Sequence, residues 1–226
     1  IDHANALYQL SKDYNVNLMV GHVLLFHPAI QKIKELIQEG RIGKLQYIYS
    51  NRLNLGKVRT EENVFWSFAP HDISIFQYLI ESDPINISSR GAAYVQKNLY
   101  DTTMTILTYE NNIQGHIYVS WLHPFKEHRL VVVGDKGMIR FEDSTENKPL
   151  MIYDKGIDWD QGKPVKRDGP TEMVDYKPGL PLTLEMEYFL DHISKPPAIA
   201  NGKNGLSVVR ILEQATQSMA QCQEKR

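Results

Sequence analysis

Thr102-Thr103-Met104-Thr105-Ile106-Leu107-Thr108-Tyr109, then Glu110-Asn111-Asn112, then Ile113-Gln114-Gly115-His116-Ile117-Tyr118-Val119-Ser120-Trp121-Leu122 is the stretch that decides the fold. Two strand-like runs flank Asn111-Asn112, a pair suited to a hairpin turn. Asp135-Lys136-Gly137 marks another turn, between the candidate strands Arg129–Val133 and Met138–Phe141. Leu150–Tyr153 adds a further strand, and Ile85–Ala93 another upstream. Earlier still, Leu45, Tyr47 and Tyr49 alternate with Gln46, Ile48 and Ser50 in a long period-two run that reaches Arg52 and Asn54. A run of hairpins predicts a mainly antiparallel sheet.

Around these strands the spacing turns helical. Residues 2–14 carry Ala4, Leu7, Tyr8 and Leu10 on one stripe. Leu18-Met19-Val20, with Gly21 behind it, reads as a short buried parallel strand, so the chain opens like the closing half of an α/β unit. His27-Pro28 starts a helix with Ile30, Ile33, Leu36 and Ile37 on its apolar face, ended by Gly40. Leu182–Ile193 and Asn204–Cys222 close the chain as helices. Residues 154–180 are poor in apolar side chains and rich in Asp, Lys, Gly and Pro; they read as a loop excursion.

Composition sets limits. The chain has 226 residues, 42% of them hydrophobic, and a net charge of -2. That is enough for a sizeable core and gives no electrostatic reason for a nucleic-acid or anionic-membrane partner. No apolar run approaches the roughly 20 residues that span a bilayer. The single cysteine, Cys222, excludes an internal disulfide framework and suits a reducing, cytoplasmic setting. The eight histidines are scattered, without zinc-site spacing.

The chemistry concentrates in Trp66-Ser67-Phe68-Ala69-Pro70-His71-Asp72-Ile73-Ser74. Pro70 suits the first helical position, which places Ser67 or Ala69 at or near the cap and His71 on the first turn. The positive helix end then disfavours the imidazolium, and a neutral imidazole can accept a proton from a hydroxyl. The plain alternative is a cap-region histidine with a satisfied hydrogen bond. Arg52 and Asn54 share a strand face that leads into a basic loop with Arg59, a candidate phosphate site or else a solvated charged loop. Trp66 is a ring for stacking on a sugar or nicotinamide, or a core residue.

Taken in order, several segments resemble the Gfo/Idh/MocA oxidoreductases. These are Met19-Val20-Gly21-His22, Phe26-His27-Pro28-Ala29, Glu39-Gly40-Arg41-Ile42-Gly43-Lys44-Leu45, Pro70-His71-Asp72, Val132-Val133-Gly134-Asp135-Lys136-Gly137 and Gly205-Leu206-Ser207-Val208-Val209-Arg210-Ile211-Leu212-Glu213. The resemblance implies an α/β (α+β) fold, with the end of a Rossmann domain over 1–25 followed by a substrate-binding and oligomerisation domain over 26–226. Its sheet would be open, mainly antiparallel and packed against helices. It implies hydride transfer between a sugar and NAD or NADP, with His71 as the catalytic acid/base. Ser67 stands where many members have Asp or Asn that touches the sugar, and His22 falls at the cofactor edge.

The phosphate-cradling Gly-x-Gly-x-x-Gly and the family's Glu-Lys-Pro lysine segment do not occur, so tight NAD binding is not expected of this chain by itself. The segments around Asn51–Arg59 and Trp66–Ser74 look most like the branch acting on nucleotide sugars, such as UDP-N-acetylglucosamine 3-dehydrogenases. A free-sugar or inositol dehydrogenase is the alternative within the class, and a non-catalytic sugar-binding or oligomerisation module the alternative outside it. A homodimer or homotetramer is expected in either case.

Overall fold

The computed structural model describes residues 1–223, with side chains as far as Gln221, so the Cys222 thiol lies outside the described residues. In chain order the elements are α1 (Asp2–Asp13), a 3-10 turn (Val23–Phe26), α2 (Pro28–Gln38), β1 (Leu45–Leu53), α3 (Val64–Ile80), β2 (Asn86–Ala92), β3 (Thr102–Thr108), β4 (Gln114–Ser120), β5 (Glu127–Gly134), β6 (Met138–Glu142), β7 (Leu150–Asp160), β8 (Lys163–Met173), α4 (Pro181–Asp191) and α5 (Gly202–Gln223). The strands form one eight-stranded sheet in the order β2-β3-β4-β1-β5-β6-β7-β8. β1 and β4 run parallel. The other neighbouring pairs are antiparallel.

The hairpin turns form as their residues dictate. Asn111 and Asn112 both take positive φ, at 56° and 58°, the left-handed geometry that an Asn pair tolerates at a tight turn. One face of the sheet is covered by helices. Ile48 of β1, Leu107 of β3, Ile117 and Val119 of β4 and Val132 of β5 are buried there with Ile73 and Phe76 of α3 and Ile211, Leu212 and Ala215 of α5. The helix meets the sheet where the strand is narrowest: a Cβ at Gly115 would lie 2.9 Å from the Phe76 ring. Burying each such large apolar side chain contributes roughly 1.5–3 kcal/mol. The opposite face is open, with Tyr47, Met104 and Ile106 exposed.

Three expectations are corrected. Leu18-Met19-Val20 is not a strand: Met19 makes one isolated antiparallel bridge to Asn201 at the start of α5, and the three residues are only half-buried. Residues 154–173 are not a loop, whereas 174–180 have no regular structure. β7 and β8 form an ordered hairpin whose pairs from Lys155↔Asp168 to Asp160↔Lys163 extend past the last residue that pairs with β6, Tyr153. That arm is wetted on both faces, so it lacks the apolar alternation that marks a half-buried strand.

The third correction concerns α3. The helix begins at Val64, capped by Asn63, whose Oδ1 accepts from the amides of Phe65 (3.0 Å) and Trp66 (3.1 Å). Pro70 lies inside the helix and withholds the bond its amide would give to the Trp66 carbonyl. Burial of Val64, Phe65 and Ala69 offsets that loss. His71 therefore sits in the third turn and not at the positive helix end.

Candidate active site

His71 projects from α3, half-buried, with Ser67 one turn before it on the same helix face. Its Nδ1 is buried without a hydrogen-bond partner. Its pKa is held below the ordinary histidine value, first by burial and then by the positive charge of Arg52, with Asp72 pulling the other way. Burial and a guanidinium thus disfavour the imidazolium here, in place of the helix dipole expected from the sequence.

His22 lies beside it electrostatically. It is 6% exposed, its Nε2 is buried and unpartnered, and burial with the neighbouring His71 pushes its pKa down to about 4. His22 and His71 are thus two charge-coupled imidazoles, each with a buried ring nitrogen that lacks a hydrogen-bond partner. Buried polar atoms are normally paired, so these two mark a place that wants a polar ligand.

Beneath His71 the chain builds a buried ion pair. Asp72 and Arg52 are 2% and 9% exposed. Arg52 donates from Nε to Asp72 Oδ2 and from Nη2 to Oδ1, each at 3.0 Å. Its Nη1 lies 3.4 Å from His128 Nδ1. The only cavity lined by Arg52 among those described measures about 20 Å³. That is room for one water and not for a sugar phosphate. The phosphate-ligand role expected of Arg52 is therefore not what the geometry offers, because its fork is engaged by Asp72. Local sequence does not show what holds Asp72. Its partner lies 20 residues away on β1, beyond the reach of local spacing.

The remaining candidates separate. Trp66 donates its indole N–H to Thr216 Oγ1 of α5 at 3.0 Å and packs against the core, which favours its structural role. Arg59 is exposed and pairs with Glu62 at 3.1 Å, away from the buried cluster. Asn54 stands half-buried at the end of β1, its amide bonded to the Ser120 carbonyl at 3.1 Å. His128 was missed. It has no motif around it, and only the β1–β5 register, Arg52↔His128, brings it to the site. Among the described residues no cluster of His, Cys, Asp or Glu is built to hold a metal ion, and no helix is long and apolar enough to cross a membrane.

Residues 30–140 match the GFO/IDH/MocA C-terminal domain, which contains β1, α3 and the first hairpins. That stretch is what the chain has in common with the family. Over 212 residues it is 26% identical to the UDP-N-acetylglucosamine 3-dehydrogenase of Acidithiobacillus ferrooxidans, covering 92% of this chain and 64% of that one. It is 22% identical over 223 residues to the NADP(+) D-xylose 1-dehydrogenase of Haloarcula marismortui, covering 91% of this chain and 59% of that one. A solved structure of the Acidithiobacillus enzyme superposes with a TM-score of 0.80 at 24% identity, over 96% of this chain and 67% of that chain. The open sheet covered on one side by helices is thus a fold shared with the Acidithiobacillus structure, and the chain spans less than two thirds of the length of these two curated dehydrogenases.

Proposed function

We propose that the full-length protein is an NAD(P)-dependent dehydrogenase that oxidises a hydroxyl of a sugar or nucleotide sugar, with His71 as the acid/base. The observation that carries this reading is the half-buried, neutral His71 with an unpartnered ring nitrogen, on the helix of a domain whose relatives are dehydrogenases of sugars and nucleotide sugars. A neutral imidazole accepts the hydroxyl proton as the carbon is oxidised, and returns it in the reverse direction. NAD(P)+ supplies the hydride acceptor. The residues fit such a group on the side of His22, whose buried Nε2 is a free polar atom at the edge of the site. To Ser67, one turn from His71 on α3, we assign a hydrogen bond to a sugar hydroxyl, and to Asn54, at the end of β1, a further substrate contact. The nucleotide-sugar reading rests on the 26% identity to UDP-N-acetylglucosamine 3-dehydrogenase.

Mixing the full-length protein with UDP-N-acetylglucosamine and NAD+ or NADP+ tests this by the appearance of reduced cofactor. His71→Ala is expected to lower kcat by about 10²–10⁴-fold, the usual contribution of a positioned acid/base. An equal rate in the variant would remove His71 from the chemistry.

A further inference from the structure

We propose that Arg52, Asp72 and His128 form a buried positioning device that fixes the aim of His71 and keeps a cation near it. The inference rests on His71 being the acid/base. Apolar packing between α3 and the sheet sets the rotation of the helix about its axis only coarsely, because the hydrophobic effect is non-directional. A bidentate guanidinium–carboxylate pair is directional. Asp72 is the next residue after His71, and successive helical residues are held about 100° apart. Clamping the Asp72 carboxylate to β1 through two bonds of 3.0 Å therefore fixes the direction in which His71 leaves the helix.

The clamp is itself oriented. Arginine has no acceptor, so the Arg52 Nη1 contact at 3.4 Å makes His128 Nδ1 the accepting atom and requires His128 to be neutral. Around His128 stand Arg52, Lys126, Asp143 and Asp72, and around His71 stand Arg52, Asp72 and His22. The cavity lined by Arg52, Asp72 and His128 measures about 20 Å³, too small for a sugar. The cluster acts on the reaction only through His71. Apolar residues of similar shape commonly replace buried ion pairs without loss of stability, so stability alone does not account for a charged pair at this position.

The test uses full-length protein labelled at its histidines, with NMR titration of His71 and steady-state kinetics on the same samples. Removing the cation with Arg52→Met is expected to raise the His71 titration midpoint, and removing the anion with Asp72→Asn to lower it. Simple loosening of the fold would expose His71 and raise it in both variants, so opposite signs identify the device. In both variants kcat is expected to fall about tenfold or more with KM little changed, since misaim of a catalytic group is costly. Arg52→Lys, which keeps the charge and loses the fork, is expected to hold the midpoint close to wild type while kcat remains low. Should Arg52→Met fail to fold, Asp72→Asn and Arg52→Lys carry the same test. His71 midpoints that move upward in both charge-removing variants, or kcat unmoved in folded variants, overturn the proposal. Failure of the acid/base reading is separate: it shows as an unchanged rate in His71→Ala.

Discussion

At the residue scale, the site is governed by what burial does to imidazoles. His22 and His128 both have pKa values pushed down to about 4, by burial first, then by His71 for His22 and by Arg52 for His128. The folded state therefore binds these protons less readily than the unfolded chain, whose histidines titrate near 6.5. Stability from this source is complete above the unfolded value and declines as pH falls from about 6.5 toward about 4. The slope approaches 1.4 kcal/mol per pH unit for each such histidine. Denaturant titrations at pH 7.5 and pH 5 are expected to show the loss, with a shallower pH dependence in His22→Asn; identical midpoints at both pH values would contradict the burial argument. The sequence pointed to His71 from the Pro-His-Asp spacing, yet its reason for neutrality was local. The actual causes, burial first and then Arg52, come from the tertiary fold and not from neighbouring residues.

At the element scale, α3 shows how a strong local signal is overridden. Pro at the first helical position is a good rule, and here it misplaces the start of α3 by two turns. Asn63 supplies a better cap, and Val64, Phe65 and Ala69 have core to fill. Asn63→Ala is expected to destabilise the protein by about 1 kcal/mol, the usual cost of losing an N-cap, as measured by chemical denaturation. No change would mean that the Oδ1 bonds contribute nothing. Gly115→Val is expected to cost more, about 1–3 kcal/mol, because the added methyl groups meet Phe76 and Tyr109 and push α3 off β4. A folded, equally stable variant would show that the helix is free to move. The strands from β1 to β6 were legible because alternation and turn residues agree. The β7–β8 arm was not, since Asp158, Trp159, Asp160 and Lys163 at its tip are exposed, and solvent on both faces leaves no pattern to read. Leu18–Val20 shows the converse: an apolar run without a neighbouring strand to pair with is not a strand.

At the scale of the whole molecule, the sheet is covered on one face only. Tyr47, Met104 and Ile106 lie exposed across β1, β3 and the intervening β4 on the other. We propose a second copy of the chain as its cover, since a sheet face of this kind suits a two-fold, self-matching contact. Light scattering is expected to give a dimer or larger closed oligomer, reduced to a monomer by Ile106→Glu; a monomeric wild type would contradict it. The measurement that bears most directly on the account is the pH profile of kcat/KM for nucleotide-sugar oxidation by the full-length protein, compared with His71→Ala. A base held neutral by burial and a nearby guanidinium predicts an acidic limb displaced below pH 6.5, the ordinary histidine value, and predicts that His71→Ala abolishes that limb together with most of the rate. An acidic limb that persists unchanged in His71→Ala would show that another group takes the proton.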